Sequence, residues 1–134
     1  KYRGGLGAEF IARAEDEVLL MSPHEQTKFP SWGVNGGTGG KPNTRVANVG
    51  TPDEVKGKFV ATLHKGNYWT ERTGGGGGFG DPFERDPQMV LDDVLDDYID
   101  IKEARDIYGV VIKGDENDNY IIDHMGTNKI RESR

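Results

Sequence analysis

Five consecutive glycines, Gly74 to Gly78, followed by Phe79 and Gly80, constrain this chain more than any other stretch. Glycine is costly to order, so an ordered run serves unusual backbone angles or the close approach of another backbone or ligand. Two Asp-Pro steps follow, at Asp81 and Pro82 and at Asp86 and Pro87. Each offers a capping carboxylate and then a proline suited to the first helical position. Asp81 and Glu84 also have capping-box spacing. The expectation is a glycine loop, a turn or single helical turn, and a helix from Pro87.

The familiar roles of such a loop do not fit. A phosphate-cradling P-loop ends in Gly-Lys-Ser/Thr, and no such lysine follows these glycines. Gly75, Gly77 and Gly80 match Gly-x-Gly-x-x-Gly, but in a polyglycine run that match carries almost no information. A dinucleotide fold also needs a long helix opening at the third glycine. Here Asp81 to Pro87 interrupts it.

A chain of 134 residues is the size of one domain, and we expect residues 1–134 to form a single one. Hydrophobic residues make up 34% and charged residues 30%, so the core should be modest. The net charge of −6 argues against a nucleic-acid or membrane-surface binder, both of which need a basic face. The absence of cysteine removes disulfides, thiolate metal sites and thiol nucleophiles together, and fits a cytoplasmic location. The longest apolar run, Val18 to Met21, is far short of a membrane span.

Along the chain, residues 8–14 alternate as a strand does, Glu15 to Glu17 is a polar break, and Val18 to Met21 reads as a buried strand. A hairpin over 8–22 is expected, and a second over 58–73, around the turn residues Lys65, Gly66 and Asn67. Between them, residues 22–52 have almost no periodicity. Loops this long usually serve a function or lie against something else. Phe29 and Trp32 sit inside this one, and Trp32 could plug a hollow on this domain or on a partner.

Beyond the glycines, Val90 and Leu91, Val94 and Leu95, and Tyr98 and Ile99 recur every four residues, predicting a helix over 87–98. Asp92, Asp93, Asp96 and Asp97 fall opposite, as a solvated face rather than a metal cluster. Asp100 and Glu103 form a capping box for a helix over 101–108, which Gly109 is placed to end. Strands follow at 110–112 and 120–122, with a polar turn between. The fold class expected is α+β, with mostly antiparallel strands and two short helices near residues 87–108.

No catalytic constellation emerges. His24, His64 and His124 are isolated and lack metal-ligand spacing. Asp115, Asn117 and Asn119 alternate like the start of a calcium loop, but Tyr120 and Gly126 occupy the positions that need Gly and Glu. The serines, Ser22, Ser31 and Ser133, lie in no nucleophile motif. Neither a catalytic nor a metal-binding residue is expected in this chain.

Longer patterns carry a resemblance. Thr73 through Pro82, Glu84 to Pro87, Val90 with Asp93 and Val94, and Ala104 and Arg105 with Tyr108 to Val111 resemble the C-terminal part of the hydantoinase B family. So do Lys1 to Gly7, Pro30 to Gly37, Lys65 to Asn67, and Asp123, Thr127, Ile130 and Arg131, in the same order. That family includes the B-type subunits of N-methylhydantoinase, 5-oxoprolinase, and acetone and acetophenone carboxylases. The resemblance implies a small accessory subunit, or split terminal piece, of an ATP-dependent carboxylase or hydrolase acting on a ketone or cyclic amide. It implies large A-type and B-type partner subunits, with ATP and a divalent metal held in those partners. Onto this chain it carries Gly74, Gly75, Gly76, Gly77, Gly78 and Gly80, as a structural element or site wall. Within such a complex, Phe29 and Trp32 are the expected subunit contacts. The alternative is a stand-alone, non-catalytic module binding a small molecule at the glycine loop.

Overall fold

The computed structural model describes residues 1–23, 25–114 and 119–134. They divide into two compact units. One comprises Lys1–Tyr2, Val34–Thr38 and Phe79–Arg134, and the other Arg3–Gly33 and Gly39–Gly78. Antiparallel strands and short helices give the α+β class expected.

The unit containing Arg3–Gly33 and Gly39–Gly78 is built from β1 (Glu9–Arg13), β2 (Val18–Ser22), β3 (Thr44–Ala47), β4 (Val55–Lys56), β5 (Phe59–Leu63) and β6 (Tyr68–Arg72). The alternation read over residues 8–22 and 58–73 does form strands, but not two hairpins. β1 pairs with β6, and β2 pairs with β5. In both ladders residue n faces residue 81 − n, so the two stretches run antiparallel in one register. The polar break at Glu15 to Glu17 and the turn at His64 to Asn67 interrupt the ladder without reversing it. Across that interruption the Ala14 amide donates to the Asn67 carbonyl (2.9 Å), and the Gly66 amide to the Ala14 carbonyl (2.8 Å).

The apolar residues explain the preference for distant pairing. Ala14 and Leu63 meet Ala47 in a small buried cluster, with Leu20, Val55, Phe59 and Trp69 packed around it. Two separate hairpins would leave the inner faces of all four strands without that common centre. The stretch read as aperiodic contains β3, which pairs with β6 on one side and β4 on the other. Four residues including Thr44 and Arg45 are too short and polar to signal a strand. The long-range ladder makes it one.

The other unit holds a 3-10 turn (Pro82–Glu84), α1 (Pro87–Leu95), α2 (Ile101–Tyr108), β7 (Ile112–Lys113), β8 (Ile121–Ile122) and α3 (His124–Glu132). The caps of α1 and α2 are those expected, whereas Asp81 accepts from the Phe83 amide instead of forming a box with Glu84. Asp86 accepts from the Gln88 amide with Pro87 at the first helical position, and Asp100 and Glu103 complete a reciprocal capping box. Gly109 ends α2 in the left-handed region, with φ 63°. Val90, Leu91, Val94, Ala104, Val110 and Ile112 form the core. β7 and β8 pair with Ile112 facing Ile122. Of the polar turn expected between them, residues 115–118 lie outside the described residues, and with them Asp115 and Asn117 of the calcium-like alternation.

Two expectations are corrected here. α1 ends at Leu95 rather than at 98, because Asp97 takes a left-handed backbone and turns the chain. Asp93 is not on a solvated face. It is 4% exposed, with one carboxylate oxygen 2.8 Å from Nη2 of Arg85, itself 3% exposed. Position 93 shares a helix face with Val90 and Val94, so burying that stripe carries the carboxylate inward, where only a buried cation makes it tolerable.

α3 has no counterpart among the elements expected from the sequence. Asp123 caps it, accepting from the Gly126 amide at 3.0 Å. Its apolar content is low, and it is held by polar contacts instead. Thr127 Oγ1 accepts from the Val111 amide, and Arg131 donates to the carbonyls of Tyr108 and Arg85.

Candidate functional site

The glycine run is a layer of backbone packed between other backbones of its own unit. On one side lies the N-terminal segment. The Gly76 amide donates to the Gly5 carbonyl (2.9 Å), and a Cβ placed on Gly4 would sit 2.2 Å from the Gly76 oxygen. On the other side lie residues 31–33 and 39–41. A Cβ on Gly77 would stand 1.9 Å from the Trp32 carbonyl oxygen, and one on Gly74 only 1.5 Å from that of Lys41. Lys41 and Gly40 are tied in turn, their amides donating hydrogen bonds to the Gly74 carbonyl (3.0 Å) and the Ser31 carbonyl (2.8 Å) respectively. No side chain fits in such gaps, so at Gly74 and Gly77 the backbones approach too closely for anything but glycine.

Within the run, the left-handed backbone occurs at Gly75, with φ 73°. Gly76 and Gly77 do not adopt it. At Gly77 the constraint is close approach alone. Gly78 is half-buried in the same unit. Gly80 belongs to the other unit. It is buried, has φ 75°, donates to the Val34 carbonyl (2.9 Å) and accepts from the Lys1 α-amino group (2.8 Å). The neighbouring Asp81 carboxyl is held below its usual pKa, first by the Phe83 amide and then by the Arg134 guanidinium.

Sequence reasoning missed Asn43 as the latch of this layer. Its side-chain oxygen accepts from the Gly74 amide (2.8 Å), its side-chain nitrogen donates to the Glu25 carbonyl (3.1 Å), and its backbone amide donates to the Gln26 carbonyl (3.0 Å). The available signal was the set of glycine clusters at 4–7, 36–40 and 74–80, which together mark segments able to stack.

The layer supplies no acid, base or nucleophile. The amides of Gly74 and Gly76 are occupied by protein acceptors, so they do not form an open nest for a phosphate. What it provides is closely packed, hydrogen-bonded backbone.

Trp32, whose carbonyl approaches Gly77, and Phe29, three residues before it, are 82% and 85% exposed. Trp32 therefore does not plug a hollow on this chain. Leu19, Met21 and Val60, on one face of the β2–β5 ladder, are also exposed, Leu19 at 73%. Large apolar side chains grouped on the surface mark interaction sites.

Of the histidines, His64 Nδ1 lies 3.2 Å from a Glu17 carboxylate oxygen, and its Nε2 lies 3.8 Å from Asp53. His124 opens α3, and His24 lies outside the described residues. Among the described residues no three histidine or carboxylate side chains converge as metal ligands. Nor is any helix among them long and apolar enough to cross a membrane.

Comparison with known proteins bears on this arrangement. The chain is 37% identical to an uncharacterized protein of Methanocaldococcus jannaschii, over 98% of this chain and 23% of that protein. It is 30% identical to the B-type subunit of a putative D-/L-hydantoinase from a Pseudomonas species, over 98% of this chain and 22% of the relative. It is 43% identical to the acetone carboxylase alpha subunit of Xanthobacter autotrophicus over a shorter stretch, 40% of this chain and 7% of that one. The chain thus spans less than a quarter of the length of the relatives it matches.

Among solved structures, the ATP-dependent caprolactamase from Pseudomonas jessenii superposes with a TM-score of 0.71, at 24% identity, over 94% of this chain and 22% of that one. Nucleotide-free acetone carboxylase superposes with a TM-score of 0.60, at 23% identity, over 76% of this chain and 18% of that one. At those identities the two structures speak for the fold. The hydantoinase B/oxoprolinase family model matches residues 1–82, which takes in the N-terminal segment, the long loop and the whole glycine layer. The chain belongs to the hydantoinase B/oxoprolinase family.

Proposed function

We propose that this chain is a non-catalytic part of an ATP-dependent carboxylase or hydrolase of the hydantoinase and acetone carboxylase kind. Its glycine layer is the rigid wall of that assembly, and Phe29 and Trp32 are contacts to larger A-type and B-type polypeptides. The observation that carries this reading is the exposed aromatic pair on a loop anchored by the glycine layer. Family membership, and a span of less than a quarter of the relatives, support it. An 82% exposed tryptophan gains little from its own chain. Against a partner it would bury its full ring, as interface anchors do.

The assembly's substrate would be a ketone or cyclic amide, activated with ATP bound elsewhere in the complex, as would be any divalent metal. None of the described residues of this chain offers a converging ligand set for such a metal. A cysteine-free chain suits the reducing cytoplasm, where we place it. The alternative of a free-standing module binding a small molecule at the glycine loop is weakened by the occupied amides of Gly74 and Gly76.

The test is purification of the chain from its source at native abundance, followed by assay of the complex for ATP-dependent turnover of ketones and lactams. Co-purification with two larger polypeptides and an ATP-dependent activity is expected. A lone monomer that binds nucleotides or small acids saturably in calorimetry would overturn the proposal.

A further inference from the structure

β1 is a terminal strand of its sheet, which runs β1–β6–β3–β4. β6 covers one of its edges and the other is open. The ends of the β1–β6 ladder fix which backbone groups face that opening. The Thr73 amide donates to the Ala8 carbonyl (2.9 Å), and the Ala14 amide to the Asn67 carbonyl (2.9 Å). Even-numbered residues therefore bond towards β6, and strand alternation turns the amides and carbonyls of Glu9, Ile11 and Arg13 to the open edge. Among the described residues, no other strand or loop backbone bonds to these groups.

Natural sheets blunt an open edge with proline, a bulge or a charge along it. The centre of β1 has none of these. Its register with β6 is unbroken, and Phe10, Ile11 and Ala12 stand there, with Phe10 52% and Ile11 60% exposed. The charges are at the two ends, Glu9 and Arg13, opposite in sign and equally far from Ile11. The order Glu-Phe-Ile-Ala-Arg is thus complementary to its own reverse. About a twofold axis at Ile11, a second β1 lies antiparallel, with Glu9 facing Arg13 of the other copy at both ends and Ile11 facing Ile11. This register sets outward-bonding residues opposite one another, as an antiparallel edge requires. A slip by one residue sets outward groups against inward ones, and a slip by two sets a charge against Ile11. Across one face of the paired sheet a row then reads Arg72, Glu9, and Arg13 and Tyr68 of the second copy. Its first pair already exists, with Arg72 Nε 2.6 Å from the Glu9 carboxylate. Opposite charges facing across strands stabilise such pairing, and like charges oppose it.

We propose that the open edge of β1 is the docking site for β1 of a second copy of this chain, joining the two sheets across a twofold axis at Ile11. The inference goes beyond the assembly proposed above and does not rest on it, since it uses only the sequence and edge geometry of β1. One strand pair buries less than the roughly 1,200 Å² of a standard interface, so a reversible dimer in the micromolar range is expected rather than a permanent one.

The test is sedimentation velocity of the full chain from micromolar to millimolar concentration, alone and as two charge variants. The wild-type chain should pass from monomer to dimer. Glu9→Arg and Arg13→Glu each set like charges opposite at both ends of the pair, and each should weaken dimerisation by roughly tenfold. Mixed together, the two variants should dimerise with one another, because one then carries two arginines and the other two glutamates. That recovery also shows that both variants are folded. The chain has no cysteine, so Ile11→Cys introduces a single thiol. Facing residues of an outward-bonding pair lie about 5.5 Å apart, within disulfide reach, so this variant should cross-link copies on mild oxidation, whereas Leu19→Cys on β2 should not. A chain that stays monomeric throughout and pairs through β1 only with a different polypeptide would overturn the proposal. So would single charge variants that self-associate as well as wild type, a mixture that associates no better than its components, or equal cross-linking at positions 11 and 19.

Discussion

At the scale of the residue, two positions decide whether this account of the interior is right. Gly77 sits where any Cβ would meet the Trp32 carbonyl oxygen at 1.9 Å, and Gly76 where the atom nearest to a Cβ, the Gly5 amide nitrogen, would be 3.3 Å away. Gly77→Val should therefore cost on the order of 3 kcal/mol or prevent folding, while Gly76→Ala should be tolerated far better. Urea unfolding of the two variants checks the difference, and equal tolerance would mean that the layer is a mere linker. Asp93 is the second position. Removing its carboxylate by Asp93→Ala leaves the buried Arg85 guanidinium without its acidic partner, an imbalance that costs about 3–5 kcal/mol. Thermal unfolding reads this directly, and a surface aspartate would show almost no change.

At the scale of the element, α3 offers the clearest chemical handle. The Asp123 carboxyl is held below its ordinary pKa, first by the Gly126 amide and then by the Lys113 ammonium. A carboxyl depressed on folding contributes stability that is present above the unfolded pKa of about 3.9 and is lost as pH falls through the folded value. The melting temperature should decline as pH drops below about 5, and Asp123→Asn should flatten that decline. Parallel profiles would show that the cap contributes nothing.

The helix caps of α1 and α2 were legible in the sequence because they are local: Asp86 with Pro87, Asp100 with Glu103, and Gly109 act within a few residues. α3 was not, since Thr127 and Arg131 hold it through contacts to Val111, Tyr108 and Arg85, which no local pattern records. For the strands, the alternation in residues 8–22 and 58–73 was readable but their partners were not. A short polar break looks the same whether the chain reverses there or only bulges, and the burial of Ala14, Ala47 and Leu63 decides between them. The glycine layer shows the same division. The run itself announced a demanding backbone, yet its neighbours at 4–7 and 39–41, and the latch at Asn43, appear only once the chain is folded.

At the scale of the whole molecule, the balance between core and surface is the telling feature. The two buried clusters are small, whereas Leu19, Met21, Phe29, Trp32 and Val60 remain largely in water. Exposed apolar side chains grouped in this way mark an interaction surface. Trp32 lies at the centre of that claim, because its exposure excludes an ordinary core role. The direct measurement is native mass spectrometry of the purified natural complex, comparing wild-type chain with Trp32→Ala. The account predicts a complex of this chain with larger hydantoinase-family polypeptides, weakened by roughly 2 kcal/mol in the variant, while the isolated variant melts at the wild-type temperature. An undiminished complex, with a variant chain that is less heat-stable on its own, would contradict it.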